Sequence, residues 1–177
     1  MRESLRPLIS REAIAGKVEE LARRLDRDYA GRAPLFLCVL KGAYVFLADL
    51  TRRMETLPEV DFIQLSRYGL KGSAASPTAR ILLEPRMELE GRHIVVVEDI
   101  VDTGRSLQSL LRFLARRGPA SVRVCSLLVR RAALPSIADS VDYYGFAIEE
   151  GWVVGYGLDY SERYRSLPDI SVLELER

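Results

Sequence analysis

Three apolar-rich runs constrain this chain more than any other feature. PLFLCVL (34–40) and the middle of RHIVVVED (92–99) are continuously apolar, and SVRVCSLLV (121–129) is strand-like with Ser121, Arg123 and Ser126 among its apolar residues. A strand with one wet face would alternate apolar and polar residues; runs like these belong to strands covered on both faces, the condition of a parallel sheet. Helical patterns lie between them. From Ser10, apolar residues fall at Ile14, Val18, Leu21, Ala22 and Leu25, one face of a helix with Ser10 as N-cap and Gly31 as stop. KGAYVFLADLTRRM reads as a second helix. Leu107, Leu110, Leu111 and Leu114 mark a third, closed by Gly118-Pro119. EVDFIQLSRY (59–68) and ARILLE (79–84) read as strands around a Gly/Ser/Ala-rich loop, 69–79. The expected fold is α/β, a mostly parallel central sheet with helices on both faces. From Tyr143 onward the short pieces YYGFAI, GWVVGYG and SVLEL predict a small added subdomain.

Length and composition narrow the class. At 177 residues, 48% of them hydrophobic, the chain suits one domain with a substantial core. Its 26 basic against 25 acidic side chains disfavour a generic nucleic-acid sleeve, which needs a basic excess. No run approaches the roughly 18 apolar residues of a spanning helix, and MRESLRPLISREA lacks the apolar core of a signal peptide. Cys38 and Cys125, each within an apolar run, read as buried thiols of a reducing compartment. A cytoplasmic chain without membrane or nucleic-acid partners is the expectation.

In an open parallel sheet, ligands bind beyond the carboxyl ends of the strands. The segment VVVEDIVDTGRSL (95–107) delivers Glu98 and Asp99 there, then Asp102, Thr103, Gly104, Arg105 and Ser106, then an amphipathic helix. Thr103, Gly104 and Ser106 place hydroxyls and backbone N–H groups at a helix N-terminus, a natural phosphate cradle. Adjacent carboxylates suit diol hydroxyls or a hydrated Mg²⁺. Competing motifs fall away. No GxxxxGK[ST] loop occurs, and GYGLDY (155–160) lacks the third glycine of a dinucleotide fingerprint. Asp-Thr-Gly opens a leucine-striped helix, not the all-β setting of an aspartic protease. The single histidine, His93, begins a strand and so lies at the wrong end of the sheet for a triad.

The same segment resembles the phosphoribosyl-diphosphate signature of type I phosphoribosyltransferases. With LKGA (40–43), VDFIQLSRYG (60–69) and VVGYGLDYSERYRSLP (153–168) in order, the chain is similar to the hypoxanthine-guanine branch of that family. The resemblance implies a single domain over 1–177 with a base-binding hood formed by the first residues and roughly 143–177. It implies transfer of a phosphoribosyl group to N9 of a 6-oxopurine with Mg²⁺, in a homodimer or homotetramer. Glu98 and Asp99 would hold the ribose hydroxyls, directly or through the metal, and Asp102 would serve as base near purine N7. Thr103, Gly104, Arg105 and Ser106 would wrap the 5′-phosphate. Lys41, followed by Gly42, and Arg165 would meet the pyrophosphate. Trp152 would stack on the purine, Val153 would read its edge through the backbone, and Asp159 would help hold metal. The resemblance also implies a cis Leu40-Lys41 peptide and a closing loop after Tyr68.

Two positions depart from the family. Arg67-Tyr68 stands where Ser-Tyr is usual, and Arg130 stands where a lysine reads purine O6, with Arg131 as the alternative reader. Arginine keeps a donor-only side chain and so a preference for a 6-oxo over a 6-amino group, in forked geometry. Two further readings stay open: a regulatory protein that kept the fold, and a xanthine-preferring transferase.

Overall fold

The computed structural model describes residues 2–66, 80–149 and 151–176. A six-stranded sheet forms its centre, from β2 (Leu35–Leu40), β3 (Glu59–Ser66), β4 (Arg80–Leu83), β5 (His93–Val101), β6 (Ser121–Arg130) and β7 (Tyr143–Ile148). The order is β4-β3-β2-β5-β6-β7, and only β4 runs antiparallel to its neighbour. The three apolar runs become β2, β5 and β6, the middle of the sheet, where both faces are covered.

Helices pack on both faces. α1 (Arg11–Asp28) and α2 (Tyr44–Thr51) cover one side against Phe36, Cys38, Val95, Val97 and Cys125. α3 (Arg105–Ala115) and the short α4 (Leu134–Ile137) cover the other against Leu35, Leu37, Ile94, Val96 and Val124. Ser10 caps α1 by accepting from Ala13 N at 3.3 Å, and the buried face is Ile14, Val18, Leu21, Ala22 and Leu25, as their spacing predicts. Gly31 sits at φ 71° in the turn that follows, a conformation that costs glycine little.

A second, three-stranded antiparallel sheet joins the chain ends: β1 (Arg2–Ile9), β9 (Ile170–Glu176) and β8 (Trp152–Val154), in the order β1-β9-β8. Two boundaries differ from the sequence reading. YYGFAI, expected in the hood, is β7 and pairs in parallel with β6 at the edge of the central sheet. A six-residue apolar-rich piece fits either sheet locally, and the partner decides. β5 also continues past its carboxylates, with Ile100 opposite Leu128 and Val101 opposite Val129. Glu98 and Asp99 therefore project from a paired strand, not from a loose turn.

Candidate active site

Because β2, β5 and β6 are parallel, their carboxyl ends meet at one edge, and the candidate residues converge there. At the end of β5, Asp99 is 5% exposed, and its Oδ1 accepts from Ile100 N at 2.8 Å. Asp102 and Thr103 follow in the exposed turn, and Gly104 sits at φ 76° as the residue before α3. A Cβ there would lie 2.6 Å from Ile137 Cγ2, so both space and backbone demand glycine. No side chain caps α3. Its first N–H groups lack intrahelical partners by geometry, leaving a positive end beside Thr103 and Ser106.

The turn after β2 interlocks with this strand end. The Leu40–Lys41 peptide is cis. A Cβ on Gly42 would fall 1.6 Å from Asp99 Oδ2, so the carboxylate rests on the glycine backbone. On the other side a Cβ on Gly157 would meet Gly42 O at 2.1 Å, so the segment after β8 packs backbone to backbone against the same turn. Arg165 is held in that segment: Nη1 donates to Gly157 O at 2.8 Å and Nη2 to Asp159 Oδ1 at 2.9 Å. Lys41 Nζ and Arg165 Nη2 both donate to Glu162 Oε2, each at 3.1 Å. Those hydrogen bonds, Arg165's before Lys41's, hold the Glu162 carboxyl below the usual range.

Across the cavity, Arg130 ends β6. Its Nε donates to Asp102 Oδ1 at 3.1 Å, and its two terminal nitrogens donate to the carbonyls of Glu149 and Gly151. The side chain is 16% exposed. Arg131 points elsewhere, paired with the Glu149 carboxylate, and does not line the cavity. Trp152 is 52% exposed, which excludes a core role, and is fixed by Nε1 donating to Asp159 O at 3.1 Å. Tyr160 meets its ring edge-on at a centroid distance of 5.6 Å.

These groups enclose about 340 Å³. Lys41 and Gly42 come from the β2 turn; Glu98, Asp99, Asp102 and Ser106 from β5 and α3; Arg130 from β6; Trp152, Val153, Asp159 and Arg165 from the cap. Thr103 and Gly104 line an adjoining hollow shared with Glu98, Asp102 and Ser106. Arg105 opens α3 with its side chain exposed, lining neither space. Arg67, Tyr68 and the loop 69–79 lie outside the described residues. His93 stands at the opposite end of β5, its Nδ1 2.8 Å from Ser121 Oγ.

Among the described residues, no three His, Cys, Asp or Glu side chains gather as a metal cluster. Asp159 is engaged through Oδ1 by Arg165 and through Oδ2 by Glu162 N at 2.9 Å. Glu98 and Asp99 still present hard oxygen donors to the cavity, suited to a magnesium that keeps most of its water and takes substrate oxygens. Sequence reasoning missed Glu162 and the Glu149 and Gly151 carbonyls. Glu162 sits in an ordinary polar run, SERYRS, and backbone carbonyls leave no mark in sequence.

A model of the phosphoribosyl transferase domain matches residues 8–161. The chain is 42% identical over 169 residues to a bifunctional TilS/HprT protein of Listeria innocua, covering 96% of this chain but 26% of that protein. It thus spans about a quarter of that relative's length. Identity to the hypoxanthine-guanine phosphoribosyltransferase of Bacillus subtilis is 40% over 167 residues, covering 94% of this chain and 92% of the relative. A crystal structure of a hypoxanthine-guanine phosphoribosyltransferase from Bacillus anthracis, 32% identical, superposes with a TM-score of 0.86 over 98% of this chain and 100% of that one.

Proposed function

The chain belongs to the phosphoribosyl transferase family, and from that premise we propose that it is a purine-salvage enzyme. It transfers the 5-phosphoribosyl group of phosphoribosyl diphosphate to N9 of hypoxanthine or guanine, giving IMP or GMP and pyrophosphate. The observation that carries this reading is one cavity with its adjoining hollow, which together bring an anion cradle, a carboxylate pair, two cations, a candidate base and an exposed indole to one sheet edge.

The reaction needs those parts. Breaking the bond from ribose C1 to diphosphate builds positive charge on the ring and negative charge on the leaving group. Lys41 and Arg165 face the departing pyrophosphate, and the α3 N-terminus with Thr103 and Ser106 holds the 5′-phosphate. Glu98 and Asp99 hold the ribose hydroxyls and offset the ring's charge. Asp102 takes the proton that leaves the purine at N7. Arg130 beside it gives a donor-only edge that favours a 6-oxo base. Trp152 supplies a stacking face, and Val153, in β8, offers backbone groups to the purine edge. Glu98 and Asp99, with Asp159 if it gave up its bonds to Arg165 and Glu162 N, would hold Mg²⁺, which would supply neutralisation of the pyrophosphate charge.

No described helix is long and apolar enough to cross a membrane. The buried free thiols Cys38 and Cys125 support a cytoplasmic location. Assembly as a homodimer or homotetramer is supported by Val60, Phe62, Leu82 and Leu83, apolar side chains exposed together on β3 and β4; light scattering reads the mass. The activity is tested with purified protein, phosphoribosyl diphosphate, Mg²⁺ and each purine base in turn. Hypoxanthine and guanine should be converted. Absence of turnover with every 6-oxopurine would sink the reading, and faster turnover of xanthine would reassign the base.

A further inference from the structure

Among the described acids of the cavity, Glu162 has no part in the chemistry above, yet it contacts both cations assigned to pyrophosphate. Lys41 comes from the β2 turn and Arg165 from the cap loop, 124 positions apart in the numbering. Their donor nitrogens converge on one oxygen, Glu162 Oε2, at 3.1 Å each. An anionic oxygen receiving two cationic donors is the arrangement a phosphoryl oxygen would take.

The backbone of Glu162 is fixed while its carboxylate lies exposed to solvent. Ser161 and Glu162 hold left-handed φ values of 52° and 63°, and Glu162 N donates to Asp159 Oδ2 at 2.9 Å. The side chain beyond is 65% exposed. The Lys41–Glu162 pair is exposed at both ends and the Arg165–Glu162 pair at its carboxylate end, so water screens the carboxylate and a multiply charged anion can displace it.

We propose that the Glu162 carboxylate is an internal stand-in for pyrophosphate. It keeps Lys41 and Arg165 turned towards each other while the subsite lacks an anion, and it competes with the product for them. On binding, Oε2 gives up two N–H donors, two phosphoryl oxygens accept them, and the carboxylate swings into water. On release the exchange reverses. The inference rests on the assignment of Lys41 and Arg165 under the proposed function.

Calorimetry with pyrophosphate and Mg²⁺ on the wild type and Glu162→Gln tests it, with product inhibition in the forward assay as a second readout. The variant keeps the side-chain size and loses the charge. Pyrophosphate should bind it ~3- to 10-fold more tightly, the scale of one or two exposed charge pairs. Unchanged or weaker binding would overturn the competition and leave the pyrophosphate assignment standing. No binding to either protein would overturn both. In a Lys41→Gln background the gain from Glu162→Gln should shrink by about half or more, because one of two contested donors is gone. A gain of full size there would indicate diffuse charge repulsion and overturn the exchange.

Discussion

The two sides of the cavity hold their cations differently. On the purine side, Arg130 is 16% exposed and bonded to Asp102 and to two backbone carbonyls. On the pyrophosphate side, Arg165 is 18% exposed and held by Gly157 O and Asp159 as well as Glu162, whereas Lys41 is 54% exposed and paired only with the exposed Glu162 carboxylate. A guanidinium pinned at three nitrogens has its remaining N–H directions fixed, which suits recognition of a neutral base in one orientation. A cation that must grip a charged product and let it go needs a contact that exchanges readily. The contrast is between the pinned guanidiniums of Arg130 and Arg165 and the lightly held ammonium of Lys41.

Asp102 bonds to Arg130, lines the cavity and is the base in the proposed reaction, so it should give the largest effect. Asp102→Asn should lower kcat by roughly 10²- to 10⁴-fold while pyrophosphate affinity changes less than about two-fold. Steady-state kinetics with calorimetry separates the two, and equal losses would make Asp102 a shared binding residue. Next comes Gly42→Ala. Its Cβ would fall 1.6 Å from Asp99 Oδ2 and force that buried carboxylate off the turn. The KM for phosphoribosyl diphosphate should rise roughly 10-fold or more, with the KM for the base little changed. A matching rise in both would mean the two sides share one rigid frame.

Arg130→Ala should raise the KM for hypoxanthine by about ten-fold and leave that for phosphoribosyl diphosphate near its wild-type value. An effect on phosphoribosyl diphosphate instead would break the division of labour. The smallest effect is expected beneath the site. Cys38 lies on β2 below Lys41 and Cys125 on β6 below Arg130; burial is the leading cause that pushes each thiol up to about 12. For Cys38 the charges of Glu98 and Asp99 add to it. Neither should react with a thiol reagent at about pH 8 before unfolding. Unfolded thiols ionise near their ordinary value and folded ones do not, so both contributions to stability are complete below about pH 8.5 and fade towards pH 12. Denaturant midpoints across that range read the loss. Fast labelling of one cysteine alone would show that the floor, and not only the rim, differs between the sides.

Much of this was legible in the chain. The residues Ile14, Val18, Leu21, Ala22 and Leu25 named the buried face of α1, and the apolar runs named the central strands. The carboxylates and glycine of VVVEDIVDTGRSL named the functional edge, because a helix start after a buried strand is a local pattern. The pairing of β7 was not legible, since a short apolar-rich strand such as YYGFAI fits either sheet. The choice between Arg130 and Arg131 was not legible either, because it turns on where β6 ends: Arg130 is its last residue and Arg131 opens a short 3-10 turn that carries it away from the cavity.

The sequence by itself determined the class of fold, the sheet edge at which the candidate site lies and the residue types able to handle phosphate, ribose and base. Those follow from periodicity and from chemistry spaced a few residues apart. The tertiary structure alone decided that Lys41, Glu162 and Arg165 share one oxygen, that Asp99 rests on Gly42, and that Arg130 is pinned by Glu149 and Gly151. Each is a contact between segments brought together by the parallel sheet and its cap, 121 residues apart for Lys41 and Glu162. No local pattern encodes such a meeting; packing creates it.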